Sequence, residues 1–364
     1  MKILLNGEYS NVHHTLASGL RKLGHQVTVV SNGDFWKDYP RDIDVSRQNG
    51  HFGGVRLIIR LWHLLPQLRG YDIVQLINPM FFELRAERLF FFYNYLRKHN
   101  KKVFLGAFGM DWYWVHTCSC EKPLRYSDFN IGKDLRTDAE ALKYQKDWIG
   151  TVKERLNKHI AVDCDGIITG LYEYDVCYRY HLPEKTSYIP LPIMMPESSR
   201  TTDRTQKRKL VLFIGINRTR SSYKGTDIML QAALDIREKY NDHLELQIAE
   251  SVPFNQYQKM MEDADAILDQ LYSYTPSMNS LLAMSKGIIC IGGGEPEHYE
   301  LLHEDQLRPI INVQPDYQSV FNALEDLVLH PECIPELQRQ SIAYVAKHHD
   351  YLKVAQQYLD FWTK

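Results

Sequence analysis

Three cationic side chains occur close together in one short stretch of the chain. Arg218, Arg220 and Lys224 lie between Gly215 and Gly225, directly after an apolar run of strand type. In an open α/β sheet, ligands bind beyond the carboxyl ends of the strands, so a loop in this place brings its cations to the ligand. Guanidinium and ammonium groups bind phosphate oxygens well. The pattern predicts a diphosphate site, although a solvated basic loop has the same composition.

A second candidate for anion binding is a predicted helix start. Thr275 is predicted to cap this helix with Pro276 at its first position, and the helix runs to Lys286 before ending at Gly287. The free N–H groups at a helix start favour a phosphate. The residues of the first turn are therefore expected to contact the same diphosphate ligand: Ser277, Met278, Asn279 and Ser280.

A glycine-rich turn follows this helix. The apolar run 288–291 has strand character and leads into Gly293 and Gly294, with Glu295 directly after them. Glycine has no side chain to keep a ligand away from the backbone amides. We expect this turn and Glu295 to line the rest of the ligand site.

The first half of the chain offers weaker candidates. Gly7 and Glu8 follow the first apolar strand, His13 opens the next helix, and Asp111 follows the strand 103–108. Gly7 would let a ligand approach the backbone, and the two carboxylates and His13 would contact sugar hydroxyls. Ordinary loop carboxylates and a packing histidine explain the same residues. The sequence lacks Gly-x-Gly-x-x-Gly, which argues against a dinucleotide cofactor.

Alternating strand and helix patterns position these residues. Strands at 2–5, 26–31, 73–77 and 103–108 alternate with helical patterns, which predicts an α/β protein with a parallel, doubly wound sheet. The polar stretch between Pro192 and Lys209 predicts a linker, after which the pattern restarts. We expect Rossmann-like domains at 1–195 and 205–340, and a last helical segment, 338–362, that lets residues 341–364 pack back on the first domain.

Size and charge narrow the class of protein. A chain of 364 residues with 44% hydrophobic side chains has material for two cores. The 43 basic residues nearly balance the 45 acidic ones, so the net charge of -2 gives no support for a nucleic-acid partner. No signal peptide or membrane-spanning run is visible, and six scattered cysteines are read as reduced thiols. These features predict a cytoplasmic protein. The spacing of Cys118 and Cys120 does not suit a structural zinc site.

Two segments mix basic with large apolar side chains: 55–69 and 84–102. This composition is typical of helices that lie on a membrane surface, and such contact would place the protein at the inner face of the membrane. A core-facing helix with a solvated basic edge gives the same pattern. Both interpretations stay open at this point.

The second half resembles the retaining family 4 glycosyltransferases, which have two Rossmann-like domains facing across a cleft, the GT-B fold. That family has a strand ending in Gly, then an Arg and a Lys-Gly before a helix, and Gly215, Arg218 or Arg220, and Lys224-Gly225 match it. Its Glu-Ala-Met-Ala-x-Gly helix is echoed by residues 282–287, and its Gly-Gly-x-Pro-Glu turn by residues 293–297.

The resemblance implies a glycosyltransferase of the hexosyltransferase type. It would move a sugar from a nucleotide-diphosphate sugar to a glycan, lipid or other acceptor in polysaccharide or glycoconjugate synthesis. Configuration at the sugar would be retained, and neither a metal nor a cofactor beyond the nucleotide sugar would be needed. The donor would bind mainly on the second domain and the acceptor mainly on the first.

The chain departs from the family where the family carries two glutamates. Without a gap, these positions hold Tyr274 and Leu282. Tyr274 offers a hydroxyl beside the donor sugar, and Asn279 or Ser280 could replace the ribose contact. Asp111 keeps the aspartate of a His-Gly-x-Asp-like run, so Asp111 and Tyr274 are the expected catalytic residues. An inactive nucleotide-sugar-binding relative or a nucleotide-sugar epimerase would explain the departures as well.

Overall fold

The computed structural model describes residues 1–196, 209–250, 252 and 254–364. The chain divides into two compact units. Unit 1 comprises Met1–Pro123, Lys143–Pro192 and Tyr351–Lys364, and unit 2 comprises Leu124–Leu142 and Ile193–Asp350. Residues 197–208 of the predicted linker lie outside the described residues, as does the predicted start of the second domain at residue 205.

The strands of both units are short and mostly buried. In chain order they are β1 Lys2–Asn6, β2 Gln26–Ser31, β3 Ile43–Asp44, β4 Ile73–Leu76, β5 Lys102–Ala107, β6 Asn130–Ile131, β7 Asp134–Leu135, β8 Gly166–Thr169, β9 Thr186–Tyr188, β10 Leu210–Ile216, β11 Leu244–Glu250, β12 Ala266–Leu268, β13 Ile289–Gly292 and β14 Ile311–Asn312.

Helices alternate with these strands. In chain order they are α1 Val12–Lys22, α2 Gly53–Leu64, α3 Ala86–His99, α4 Trp112–His116, α5 Ala139–Trp148, α6 Val152–Asp163, α7 Tyr172–His181, α8 Ser221–Lys224, α9 Thr226–Lys239, α10 Phe254–Met261, α11 Met278–Ser285, α12 Pro296–Leu301, α13 Tyr317–Leu329, α14 Ile334–His348 and α15 Tyr351–Thr363.

Unit 1 is built on a seven-stranded sheet with the order β3-β2-β1-β4-β5-β8-β9, and every neighbouring pair is parallel. Its central strands β1, β4, β5 and β8 are almost completely buried, as parallel strands covered by helices must be. Ile3 and Leu5 of β1 pack with Leu16 of α1 and with Tyr358 and Trp362 of α15. The last helix of the chain is therefore part of the core of unit 1.

Unit 2 contains a smaller parallel sheet with the order β11-β10-β12-β13-β14. Leu212 and Ile214 of β10 form its core with Met229 and Ile236 of α9 and Leu324 of α13. The prediction of an α/β fold with doubly wound parallel sheets is confirmed. The carboxyl ends of β10, β12 and β13 come together at one edge of this sheet, which is where the predicted ligand residues follow.

The prediction of a single helix over 338–362 is wrong. The chain forms α14 and α15, and the helical hydrogen bonding is interrupted at His349 and Asp350. Neither residue is a glycine or a proline, so the sequence carries no local signal for the break. The boundary between the units falls at the same place, since unit 2 ends at Asp350 with α14 and the last part of unit 1 begins at Tyr351 with α15.

Candidate functional site

The three cations of the loop after β10 differ in exposure and in their partners. Arg218 is 78% exposed and pairs with Glu250 at the end of β11, with Nη2 at 2.9 Å from Oε2. Arg220 is half-buried and donates from Nε to Glu140 at 3.0 Å. Lys224 ends α8. The structure brings Arg220 and Lys224 together, whereas Arg218 is engaged in a surface ion pair.

Asp128 lies among these cations. Its Oδ2 accepts a hydrogen bond of 2.7 Å from the hydroxyl of Tyr223. Burial raises the pKa of Asp128, and the positive charges of Arg136, Arg220 and Lys224 oppose that rise. We call Arg136, Arg220 and Lys224 the cation cluster. The cluster also attracts Asp138, which lies 3.2 Å from Arg136, and Glu140, which lies 3.0 Å from Arg220, so it already binds carboxylates of the chain itself.

The third cation of the cluster comes from the 124–142 segment, which the sequence analysis missed. Arg136 is buried and donates to the carbonyl oxygens of Ser222 (2.7 Å) and Tyr223 (2.9 Å). Its guanidinium carbon also lies 3.6 Å from the ring centroid of Tyr272, a close cation–π contact. These contacts fix the segment against the loop after β10.

The other end of the segment is held by Glu295. This carboxylate is only 2% exposed and accepts hydrogen bonds from three side chains: Arg125 (2.6 Å), Tyr126 (2.6 Å) and Gln314 (2.7 Å). Arg125 pairs with Glu297 as well. A buried carboxylate with three donors is well satisfied, so Glu295 anchors the segment to the turn after β13.

Tyr274 also holds this end of the 124–142 segment. Its hydroxyl accepts a hydrogen bond of 2.8 Å from the backbone N–H of Arg125, and its ring lies 4.8 Å from that of Tyr126. Burial raises the pKa of Tyr274 to about 12, so the hydroxyl stays neutral. The position at which the family has a glutamate is thus occupied by a residue that holds the 124–142 segment.

The first turn of α11 begins later than the sequence predicted. Ser277, not Thr275, is the cap, and its side chain accepts from the N–H of Ser280. Thr275 is buried, and Ser273 Oγ bonds both its carbonyl oxygen (2.7 Å) and its N–H (3.3 Å), which holds it in a turn before the helix. Asp269 also accepts from the N–H and the hydroxyl of Ser277. A carboxylate of the chain is therefore present at this helix start.

The remaining residues of this turn differ in exposure. Ser280 is fully buried and faces Ser277, with 3.5 Å between the hydroxyl oxygens. Asn279 is exposed and Met278 is half-buried. Of the two suggested replacements for the ribose contact, Asn279 is the one at the surface.

Backbone conformation and packing within unit 2 explain several glycines of the site. Gly225 has a φ of +71°, a backbone conformation that glycine adopts without strain, and it separates α8 from α9. A Cβ on Gly215 would lie 2.5 Å from the ring of Tyr257, and one on Gly294 would lie 2.7 Å from Ile310. Close packing within unit 2 therefore accounts for these positions, beside any role in binding.

Gly293→Ala is expected to destabilise unit 2 by about 3 kcal/mol, because the new Cβ would lie 2.1 Å from the backbone oxygen of Ser273, which cannot swing aside. Gly292→Ala is the matched control, since its Cβ would come no closer than 3.2 Å to Asp269. Calorimetric unfolding of both variants measures the difference. Equal melting temperatures would show that the turn after β13 is not packed as described.

Glu8 in unit 1 serves as a cap of α1. Its carboxylate accepts hydrogen bonds from the N–H groups of His13 (3.2 Å) and His14 (2.8 Å), and it is 2% exposed. Burial raises the pKa of Glu8 to about 8, although these hydrogen bonds oppose the rise. Glu8 also lines a small cavity of about 50 Å³ with Gly7, Tyr9 and other residues.

His13 and Asp111 have structural surroundings. His13 is fully buried and donates from Nδ1 to the carbonyl oxygen of Gly7 at 2.8 Å, and burial lowers its pKa to about 4. Asp111 caps α4 by accepting from the N–H of Trp114 at 2.9 Å, and it accepts from the hydroxyl of Tyr178 at 2.7 Å. Burial raises the pKa of Asp111 to about 7. Both oxygens are therefore engaged within unit 1.

The described residues were also inspected for metal sites and membrane spans. Among them, no group of three or more His, Cys, Asp or Glu side chains is arranged to hold a metal ion. Of the helices that the structure describes, none is long and apolar enough to cross a membrane.

Comparison with known proteins gives matches at the level of structure. No protein-family model and no curated protein matches the sequence. Sucrose-phosphate synthase from Thermosynechococcus elongatus is similar with a TM-score of 0.64 at 11% identity, over 100% of this chain and 98% of that chain. HepE of Anabaena, in complex with UDP-glucose, is similar with a TM-score of 0.61 at 11% identity, over 100% and 99% of the two chains.

A third similar structure is the catalytic domain of starch synthase IV from Arabidopsis thaliana, bound to ADP and acarbose. Its TM-score is 0.59 at 10% identity, over 100% of this chain and 99% of that chain. These neighbours are GT-B glycosyltransferases. The resemblance to the GT-B fold predicted from the sequence is confirmed, and at this identity the likeness shows the fold.

Proposed function

We propose that the protein is a glycosyltransferase that binds a nucleotide-diphosphate sugar on unit 2 and transfers the sugar to an acceptor in polysaccharide or glycoconjugate synthesis. The observation that carries the proposal is the cation cluster that follows β10, where Arg136 and Arg220 lie 5.8 and 5.2 Å from the ring centroid of Tyr223, whose hydroxyl bonds Asp128. In a parallel sheet the carboxyl edge of the strands is the usual place for a nucleotide. Similar structures were solved with UDP-glucose and with ADP, which supports the choice of ligand.

The diphosphate is assigned to the cation cluster. Arg220 and Lys224 would bind its oxygens by charge-assisted hydrogen bonds, and the phosphates would compete with Asp128 for these cations. Arg218 is left out of this role because Glu250 holds it at the surface. Fixed cations also stabilise negative charge on a departing diphosphate, so we propose a reaction that is independent of metal ions.

The sugar and the nucleoside are assigned to the neighbouring strand ends. The first turn of α11, with Met278 and the exposed Asn279, would contact the nucleoside, since the amide of Asn279 can both donate and accept hydrogen bonds at the surface. Gly293 and Gly294 would line the sugar. Glu295 and Tyr274 act as positioning residues, because both hold Arg125 and Tyr126 of the 124–142 segment.

The acceptor is assigned to unit 1, beside Gly7 and Glu8, where the small cavity opens at the carboxyl end of β1. Glu8 is protonated at neutral pH in this assignment, since its pKa is raised to about 8. It would therefore act as a hydrogen-bonding group rather than as a base. Retention of configuration and a cytoplasmic location are part of the proposal, on the resemblance and the sequence argument given above.

Titration calorimetry with a panel of nucleoside diphosphates tests the donor site through two variants with opposite expected effects. Lys224→Ala is expected to weaken binding about 10- to 100-fold, because one charge-assisted hydrogen bond to phosphate is lost. Asp128→Asn is expected to strengthen binding severalfold, because the competing negative charge is removed.

Lys239→Ala is the matched control for Lys224→Ala. Lys239 pairs with Glu325 on the helix layer of unit 2, so its removal is the same change of charge outside the cation cluster. Unchanged affinity in Lys224→Ala, or equal losses in Lys224→Ala and Lys239→Ala, would contradict the assignment of the diphosphate.

A labelled nucleotide sugar distinguishes transfer from the alternatives. Release of the nucleotide that depends on an added glycan or lipid acceptor supports the glycosyltransferase. Tight binding of the donor without turnover on any acceptor would indicate a binding protein that has lost catalysis. Interconversion of the sugar without an acceptor would indicate an epimerase.

A further inference from the structure

Helix α2 of unit 1 presents a row of large apolar side chains to solvent. Phe52 at its start, Val55, Ile59 and Trp62 are between 51% and 69% exposed. Their spacing of three, four and three residues puts them on one face of the helix. We call these four residues the apolar stripe. Monomeric proteins rarely leave such a continuous apolar surface without a partner.

The core does not explain the apolar stripe. The opposite face of α2 already supplies the residues that pack inside unit 1, Gly53, Leu57 and Leu61. A core-facing helix with a solvated basic edge, one of the two interpretations of the sequence, would have no second apolar face. Helix α3 does fit that interpretation, because Leu89, Phe92 and other apolar residues are buried there.

The apolar stripe continues onto α3 at one point. The ring of Trp62 stacks on the ring of Phe91 with 4.7 Å between centroids. Phe91 is the exposed large apolar residue of α3, and Arg88 and Lys98 lie on the same helical face at spacings of three and seven residues. The surface is therefore broader than one helix, and basic residues flank it on both.

The helix that carries the stripe is basic, although two acidic residues lie near the surface: Asp44, whose Oδ2 is 3.6 Å from Nη1 of Arg60, and Glu87, four residues before Phe91 on α3. The sequence contains no Asp or Glu between Asp44 and Asp72, whereas the same stretch holds four arginines, at positions 47, 56, 60 and 69. The chain as a whole has a net charge of -2, so this excess is local. An occupant of this surface must combine an apolar part with negative charge.

An open cavity lies beside the stripe. It has a volume of about 340 Å³ and is lined by Ser46, Gln48, Arg56, Leu57, Ile59 and Arg60. Two guanidinium groups and two neutral polar side chains at the rim of an apolar surface suit a phosphate that is joined to hydrocarbon. Trp62 adds the side chain that is most typical of the boundary between membrane and water.

We propose that α2 docks on the surface of a bilayer that contains anionic phospholipids. The apolar stripe enters the boundary between headgroups and acyl chains, and Arg56 and Arg60 bind a headgroup phosphate in the adjacent cavity. A second copy of the chain is a poorer occupant, because pairing the same surface would place arginines against arginines. This docking is independent of the proposed sugar transfer.

Co-sedimentation of the full chain with vesicles tests the proposal. Vesicles of phosphatidylcholine alone are compared with vesicles that contain about one third phosphatidylglycerol, at low and at high salt. The wild-type chain is expected to bind the anionic vesicles at least tenfold more tightly, and salt should weaken the binding because exposed charges are screened. Equal binding to both vesicles, or none to either, would overturn the proposal.

Two double variants test the apolar part and the basic part of the surface separately. Ile59→Ser with Trp62→Ser removes the apolar contact, and Arg56→Gln with Arg60→Gln removes the charge; each pair is expected to lower vesicle affinity at least tenfold. Leu329→Ser with Arg237→Gln is the control, since these residues are an exposed leucine and an exposed arginine of unit 2. Circular dichroism of each variant confirms folding.

Light scattering of the chain without vesicles tests whether a second copy of the chain binds the apolar stripe instead. A monomer at all concentrations supports the bilayer. A dimer that is lost in the Ile59→Ser, Trp62→Ser variant would assign the apolar stripe to self-association and overturn the proposal, even if vesicles were bound weakly.

Discussion

Glu295→Ala is expected to lower the free energy of unfolding of unit 2 by about 3 kcal/mol and to loosen the 124–142 segment. The carboxylate is buried, and its loss leaves the Tyr126 hydroxyl and the Gln314 amide without their acceptor. The Arg125 part of the effect is discounted, because that side chain is 53% exposed and keeps Glu297. The melting temperature of unit 2 should fall by roughly 6–12 °C.

Binding of nucleoside diphosphates should weaken at the same time. The segment is fixed at one end by Glu295 and at the other by Arg136, which is part of the cation cluster. Hydrogen exchange read by mass spectrometry should show faster exchange over 124–136 in the variant, and titration calorimetry should show at least tenfold lower affinity.

Two further variants test whether the effect comes from the buried carboxylate of Glu295. Glu297→Ala is the control, because Glu297 contacts only one of the same donors, Arg125, and should shift the melting temperature by less than about 2 °C. Glu295→Gln keeps one acceptor oxygen for Tyr126 and should fall between the two. Unchanged hydrogen exchange in Glu295→Ala would show that the segment does not depend on this anchor.

Local patterns in the sequence were enough to predict most elements around the site. The strand, cation-rich loop and helix of 210–239 follow from an apolar run, two glycines and an amphipathic pattern, and the structure has them at β10, α8 and α9. The predicted start of α11 lay two residues too early. Thr275 and Ser277, on either side of Pro276, are both residue types that cap helices well. Only the bonds of Ser273 and Asp269 decide between them.

The 124–142 segment could not be predicted in this way. Arg125 meets Glu295 across 170 residues of sequence, and Arg136 meets Tyr223 across 87. No periodicity or spacing connects such partners, since the contacts depend on the completed sheet of unit 2. The same limit applies to Glu8 and Asp111. Their residue types suggested sugar binding, whereas in the structure both are buried and accept hydrogen bonds from the first turns of α1 and α4.

The stability of unit 1 is expected to fall by about 2–3 kcal/mol between pH 6.5 and 8.5. The pKa of Glu8 is raised to about 8 and that of Asp111 to about 7, both by burial. The folded state therefore keeps protons that the unfolded chain has already released. Their contribution to stability is complete below the unfolded pKa values, 4.5 and 3.8, and is lost as the pH rises through 7 and 8.

Between pH 6.5 and 8.5 these two carboxyl groups lower the stability of unit 1, whereas buried histidines raise it. His13 acts in the opposite sense, because burial lowers its pKa to about 4 and its contribution is lost as the pH falls through 6.5 towards 4. At lower pH the two effects partly cancel, and at pH 6.5 a histidine of the unfolded chain is still about half protonated, so that His13 offsets the fall by about 0.4 kcal/mol as the pH rises to 7.5. A fall in stability from pH 6.5 to 8.5 is therefore assigned to Glu8 and Asp111.

Tryptophan fluorescence reads this effect in unit 1 alone, since all six tryptophans of the chain belong to it, at positions 36, 62, 112, 114, 148 and 362. Glu8→Gln starts from a lower stability, because an amide offers one acceptor in place of two, but it should remove about two thirds of the pH dependence. Asp111→Asn should remove most of the rest, and Glu87→Gln, at an exposed position of α3, should remove none. A wild-type chain equally stable at pH 6.5 and 8.5 would show that both carboxyl groups are already ionised in the folded state, so that burial does not hold their protons against the hydrogen bonds that cap α1 and α4.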